Sequence, residues 1–329
     1  MTPNVEIAIV GAGLSGLALA HTLLSEGRDA VVLEARSRAG GRVLSQDGYD
    51  LGPAWLWPHN HRMLTLASRL DVQTFPQYAD GRLVFEDQQG AVRRDLDFAT
   101  MGGALRVVGG LSKITDALAH ELGDALQLGT PVTRIIEEEK GVTVTLPGSV
   151  IWADRVVLAL PLRIATGIGL SLPDAPTWMA GQAKLVAVYD EPFWREVGLN
   201  GDAISHRGPL AEIHDASPAN AAEGALFGFA LPGAALAPDF ETQAVAQLVR
   251  LFGPNAGEPR RVLLKDWSID RATATPADLT PPASHPHYRP IAPSRRLVYA
   301  GTETAGTEGG FLEGALEAAE EAHRHLARM

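Results

Sequence analysis

The chain has 329 residues, a formal net charge of −11 and no cysteine. Its length exceeds one ordinary core and fits two domains. The acidic balance, with basic residues scattered, argues against a nucleic-acid partner, and the lack of thiols excludes disulfides, thiolate metal sites and sulfur nucleophiles.

The chain reaches an apolar strand within a few residues and no apolar run is long enough to span a membrane, so the expectation is a cytoplasmic protein without a signal peptide or membrane attachment. The first predicted element is a strand from Val5 to Val10. A turn containing Gly11, Gly13, Leu14, Ser15 and Gly16 follows, then a helix over Leu17 to Leu24 and a second strand ending in Glu34. Strand, glycine turn, helix and acid-terminated strand in this order form a dinucleotide fingerprint. Gly11 permits the tight turn, Gly13 lets the backbone approach a pyrophosphate, and Gly16 lets the helix pack closely on the sheet. The pyrophosphate meets the positive end of the helix. The Glu34 carboxylate is placed for ribose hydroxyls and would repel a 2′-phosphate. Ala35, Arg36, Gly40, Gly41 and Arg42 follow as a second glycine pair between guanidiniums, suited to charge-assisted bonds with the same pyrophosphate.

A helix is predicted over Arg62 to Leu70, a hairpin around Gly90 in RLVFEDQQGAVRRDL, and a helix in GGLSKITDALAHELG. PVTRIIEEE, GVTVTL and DRVVLALPL read as strands, the last ended by Pro161. In AKLVAVYDEPFW, Ala183 to Trp194, the alternation of Lys184, Val186 and Val188 predicts a half-buried strand. A lysine sharing an apolar face is costly unless paired or functional, or unless it snorkels to an edge. ALFGFAL reads as a buried strand within the Ala, Gly and Pro-rich stretch Ser217 to Pro238. The closing block is a strand, a glycine-rich turn and a helix beginning near Gly310 and running through Leu312, Ala315 and Ala319. His59 with His61, and His285 with His287, lack the spacing of a metal site and read as loop residues.

With LEARSRAGGR after the first unit, DLGPAWLWP at Asp50 to Pro58, Thr130 to Val132, a lysine eight positions before Pro-Phe-Trp, and AGTET at Ala300 to Thr304, the chain resembles the flavin monoamine oxidase family. The resemblance implies an α/β fold. A Rossmann-like FAD-binding domain would comprise residues 1–75, 103–170 and 267–329, and a smaller, sheet-containing α+β substrate domain residues 76–102 and 171–266. It implies FAD, bound non-covalently because no cysteine exists for a thioether. Cofactor contacts would fall on the fingerprint residues through Arg42 and on a turn of Gly52, Pro53, Ala54 and Trp55. Val132 would lie at a strand edge by the adenine, and Trp267 against the isoalloxazine. Gly301, Thr302 and Glu303 would lie by the ribityl or pyrophosphate region, and Gly310, Phe311 and Leu312 by the ring. Lys184 would hold a water against flavin N5.

The implied reaction is hydride transfer from a carbon bearing nitrogen to flavin N5, giving an imine that water hydrolyses, with reoxidation by dioxygen and release of hydrogen peroxide. The substrate would be a small molecule, an amine. Two features depart from the family. Of its two cage tyrosines, one corresponds to Phe311 and the other falls at Pro276 or Ala277. The helical roof that the family inserts between the hairpin near Arg94 and Gly102-Gly103 is missing, so the active site is expected to be wide, or closed by a covering protein or by the segment His206 to Pro218. Two other readings are a renalase-like oxidation of reduced nicotinamide isomers and a flavin-binding partner protein without turnover.

Overall fold

The computed structural model describes residues 4–328. Two seven-stranded sheets organise the chain. In the first, Asn4–Val10 lies parallel between Ser149–Leu158 and Ala30–Leu33, and Leu297–Tyr299 also pairs with Ser149–Leu158. Arg134–Glu137 and Val142–Leu146 extend the same sheet as an antiparallel meander. The central strand is apolar on both faces because both are covered. Ile7 and Ile9 face a core that includes Leu17, Leu19, Ile114, Leu118, Leu316 and Ala319, from the helices Leu14–Ser25, Ser112–Leu122 and Leu312–Leu326. Ala8 and Val10 face the other way, onto Val142, Val144, Val156 and Leu158.

The second sheet runs Arg261–Asp266, Ala183–Tyr189, Gly224–Ala230, Leu210–Asp215, Leu199–Ser205, Arg82–Glu86, Val92–Leu96. The predicted hairpin around Gly90 is therefore its outer edge. Helix Phe240–Phe252 covers one face, with Phe240, Leu248 and Leu251 packed on Leu185, Ala187, Leu226 and Ile213. On the opposite face Val186, Val188, Ala225 and Phe227 meet Tyr49 and Leu51.

Three local expectations are corrected. Ala183–Tyr189 is buried at all seven positions, not half-buried, since it is an interior strand with the helix on one side and the Tyr49–Leu51 turn on the other. Thr130 to Val132 are not a strand edge: regular pairing begins at Arg134, and Gly129 and Thr130 donate their N–H groups to the carbonyls of Arg36 and Glu34 instead. His61 is not in a loop but opens the helix His61–Arg69. Smaller shifts move the first helix start to Leu14 and that of the closing helix to Leu312.

Between the outer hairpin and strand Leu105–Val107 the chain has only residues 97–104. This loop is fastened to the second sheet. Asp202 accepts hydrogen bonds from the backbone and hydroxyl of Thr100, both at 2.7 Å, and Asn200 donates to the Phe98 carbonyl at 2.9 Å. Next to it, buried Arg106 donates to the carbonyls of Ala216 and Ser217 at 2.8 and 2.6 Å. Burial pushes this guanidinium below its ordinary range, and Asp50 and Asp215 offset part of that cost. Arg106→Met should strand both carbonyls and lower stability by about 2–6 kcal/mol, at roughly 1–3 kcal/mol per unsatisfied buried group. Urea denaturation of variant and wild type measures it.

Candidate active site

A cavity of about 670 Å³ runs from the glycine turn to the start of the closing helix. Every site residue expected from the sequence borders it except Gly16 and Glu303. At the nucleotide end, Gly11 has φ +105°, and a Cβ there would lie 2.5 Å from the Ala159 carbonyl oxygen. A Cβ on Gly16 would lie 2.0 Å from the Gly11 carbonyl oxygen, so Gly16 sits behind the cavity wall and serves the close packing of helix on turn. Gly13 has nothing within 4 Å of its missing side chain. It caps Leu14–Ser25 in an extended conformation without a side-chain cap, which leaves the first N–H groups and the positive helix end facing the cavity. Ser15 is turned to the Ala300 carbonyl, joining the first helix to the closing block.

The Glu34 carboxylate is buried and accepts hydrogen bonds from the backbone of Ala12 at 2.8 Å and of Arg36 at 2.9 Å. These fix its orientation and leave lone pairs for hydroxyl donors. The Arg36 side chain is held by Asp270 and Thr273, each at 2.6 Å. Arg42 Nη2 lies 2.8 Å from Oε1 of the buried Glu303, an ion pair, and Oε2 has no partner. Glu303 is not itself part of the cavity lining, so its role is to orient Arg42, which is. Unoccupied lone pairs on Glu34, an unpartnered Arg36 Nε–H and the bare Gly13 backbone together fit an adenine dinucleotide.

In the middle of the cavity the turn Gly52 to Trp55 meets the second sheet. Lys184 is 2% exposed and its Nζ donates to the Gly52 carbonyl at 2.9 Å. The same nitrogen lies 3.9 Å from the ring centre of Phe227, 5.3 Å from Phe229 and 5.9 Å from Trp55. Burial pushes Lys184 down to about 7, with Asp50 raising it and Arg106 lowering it further. The lysine therefore does not snorkel to an edge. Trp267 is locked by its indole N–H to the Leu51 carbonyl at 2.8 Å.

At the far end, Phe311 caps the closing helix in an extended conformation, and Gly310 before it has φ +84°. Phe311 is stacked on His285 with ring centres 4.9 Å apart and 7° between planes, and Trp178 and Tyr288 meet His285 edge-on. Pro276 and Ala277 do not line the cavity; Trp178 and Met179 do. His285 is a loop residue, as expected, and its ring belongs to this aromatic group. Trp57, Phe229 and Thr273 also line the cavity and were not anticipated. Phe229 was legible in principle, since in ALFGFAL it alternates with Phe227. No group of three or more metal-ligating side chains occurs among the described residues.

Comparison with known proteins agrees with this geometry. The family described as "Flavin containing amine oxidoreductase" matches residues 14–98 and 83–326. The two segments overlap at residues 83–98, beside the point where the roof was expected to be missing. The "Probable flavin-containing monoamine oxidase A" of Dictyostelium discoideum is 26% identical over 96% of both chains, in an alignment of 443 positions against the 329 residues here. Among solved structures, cyclohexylamine oxidase from Brevibacterium oxydans matches with a TM-score of 0.86 at 20% identity over 99% of both chains. Putrescine oxidase bound to putrescine matches with 0.83 at 22% identity over the whole of both chains. At such identities these two likenesses are of fold.

Two outcomes follow. Glu34→Ala should leave the fold intact and weaken dinucleotide binding by roughly 1.5–3 kcal/mol, the range for a hydrogen bond to a charged group, as read by calorimetry. The second concerns pH. Lys184 has a folded pKa of about 7 against an ordinary 10.5. Its charging therefore costs nothing above pH 10.5; the cost grows as pH falls and is complete below about 7. Lys184→Met should gain stability relative to wild type near neutral pH, and the gain should vanish as pH rises past 10.5, in denaturant titrations of the apoprotein.

Proposed function

We propose, for a chain that belongs to the flavin-containing amine oxidoreductase family, that the cavity described above holds FAD non-covalently and admits an amine at its Phe311 end. The protein is an FAD-dependent oxidoreductase acting on the C–N bond of amines. The observation that carries the finer reading is Lys184: a buried cation tied to the Gly52 carbonyl where the nucleotide cradle meets the second sheet.

When bound, FAD supplies the acceptor for a hydride from the substrate carbon that bears nitrogen. Glu34, Arg36 and the Gly11 to Gly16 turn would hold its adenosine and pyrophosphate, Arg42, oriented by Glu303, the ribityl region, and Trp267 with Gly52 to Trp55 the ring. Val132 would border the adenine. The uncapped N-terminus of Leu312–Leu326, with Gly301, Thr302 and Gly310 beside it, offers its positive end for charge that develops on the ring. Lys184 keeps two N–H groups after its bond to Gly52 and would hold a water beside N5. Its position near a pKa of 7 lets it hold or release a proton at physiological pH.

Phe311 is assigned one wall of the substrate side, with its ring backed by His285. Pro276 and Ala277 lie outside the cavity lining and supply no second cage ring, and the loop 97–104 builds no roof. Enclosure of a small amine is therefore weak, and a bulkier amine that also rests on the second sheet would be better held. Dioxygen is the proposed electron acceptor. The domain division given above, at residues 76, 103, 171 and 267, belongs to the same proposal, as do a cytoplasmic location and a covering protein. No helix among the described residues is long and apolar enough to cross a membrane. His206 to Pro218 is not a free lid: it is the turn that follows strand Leu199–Ser205 and the strand Leu210–Asp215. Neither a renalase-like activity nor a role without turnover is favoured, since the matched family and relatives are amine oxidoreductases.

Lys184→Met should retain bound FAD while slowing reoxidation by dioxygen by about tenfold or more, because it removes a positive charge where negative charge develops. Stopped-flow measurement of the two half-reactions decides it, and unchanged rates in both would return Lys184 to a packing role. Phe311→Tyr should change benzylamine turnover by less than about threefold, since one restored wall does not restore enclosure. A steady-state assay of that variant checks this.

A further inference from the structure

We propose that Asp270 is a positioning residue for the cofactor: it clamps Arg36 from the far side so that the Nε edge of that guanidinium stays available to the nucleotide half of FAD. Arg36 follows Glu34 at the end of the second strand of the fingerprint, whereas Asp270 lies 234 residues later, in the turn after Arg261–Asp266 of the other sheet. Arg36 Nη2 donates to Asp270 Oδ1 at 2.6 Å and to the Thr273 hydroxyl at 2.6 Å. Its Nη1 lies 3.5 Å from Glu34. Nε is buried with no partner, although the residue borders the cavity together with Ala272 and Thr273.

The clamp is itself well anchored. Lys265 donates to Asp270 Oδ2 at 2.9 Å, the Ala272 N–H reaches Oδ1 at 3.1 Å, and the Asp270 carbonyl accepts the N–H groups of Thr273 and Ala274 at 2.8 Å. Burial raises the Asp270 carboxyl, but Arg36 and Lys265 outweigh it and hold the group below its ordinary range. Both Nη groups of the guanidinium are thus held by the protein, and the buried Nε donor needs an acceptor that the protein does not supply. A phosphate or ribose oxygen is such an acceptor. The same pairing ties the turn before Pro276 to the cradle.

The inference rests on FAD occupying this cavity, and the test separates the two. Apoprotein is titrated with FAD, ADP and lumiflavin, with flavin fluorescence and calorimetry giving Kd. Asp270→Ala should raise Kd for FAD and for ADP by about tenfold or more, the loss expected for one charge-assisted bond, with lumiflavin unchanged. Arg36→Met should do the same, and the double variant should bind no worse than Arg36→Met alone. Should Asp270→Ala not fold, Asp270→Asn gives the same reading in milder form, a rise of severalfold that disappears in the Arg36→Met background. The clamp is overturned if FAD affinity in the Asp270 variant stays within about twofold of wild type, if lumiflavin is weakened equally, or if the two losses multiply. Failure of the wild-type chain to bind FAD would remove the cofactor reading and the clamp with it.

Discussion

A single ammonium group taken out of water sets the terms for the centre of this molecule. Lys184 has no carboxylate within bonding distance, and its hydrogen-bond partner is the Gly52 carbonyl, with the ring of Phe227 beneath it. Burying a cation in this way costs several kcal/mol, and aromatic faces with one carbonyl offset only part of it. Such a cost persists where the charge is needed, and here it falls on the seam between the two sheets, inside the cavity. The turn from Gly52 to Trp55 must be held to receive it. Trp267 holds Leu51, Trp55 donates to Gln77, and Asp50 is pinned by Ser45 and the Leu111 N–H.

The two ends of the chain close on the same space for a related reason. A dinucleotide longer than any one loop needs donors along its whole length, so the first helix, the closing helix and the second sheet each contribute an end. Their contacts are long-range in sequence: Ser15 with Ala300, Arg42 with Glu303, Arg36 with Asp270, Lys184 with Gly52. Each joins segments that could move independently without it. Glu303 and Arg36 keep unpartnered buried atoms, which gives ligand binding a direct path to stability by linkage.

Much of this was legible in the sequence because the signal is local. Gly11, Gly13 and Gly16 are demanded by one turn, and Glu34 ends the strand that follows, so a short window carries the whole nucleotide end. The closing helix and the position of Lys184 were legible for the same reason, through motif and alternation. What was not legible depends on distant partners. Burial of both faces of Ala183–Tyr189 requires Phe240–Phe252, which no local pattern connects to it. Thr130 to Val132 stay out of the sheet because Glu34 and Arg36 capture the N–H groups of Gly129 and Thr130. His285 lies in a proline-rich stretch without periodicity, and only the fold brings it onto Phe311.

Beyond the nucleotide cradle the cavity is bordered by Phe311, Trp178, Met179 and Phe229, and the loop 97–104 places no helix over it. Selectivity is proposed to come from contacts outside the cradle more than from enclosure. Anaerobic stopped-flow mixing of the FAD-loaded protein with a series of amines of increasing bulk, and with reduced nicotinamides, tests that claim most directly. Loss of the oxidised-flavin absorbance should be fastest with a bulky amine, slow with benzylamine and absent with the nicotinamides. Fast bleaching by benzylamine with no gain from bulk, or bleaching by reduced nicotinamides alone, would contradict it.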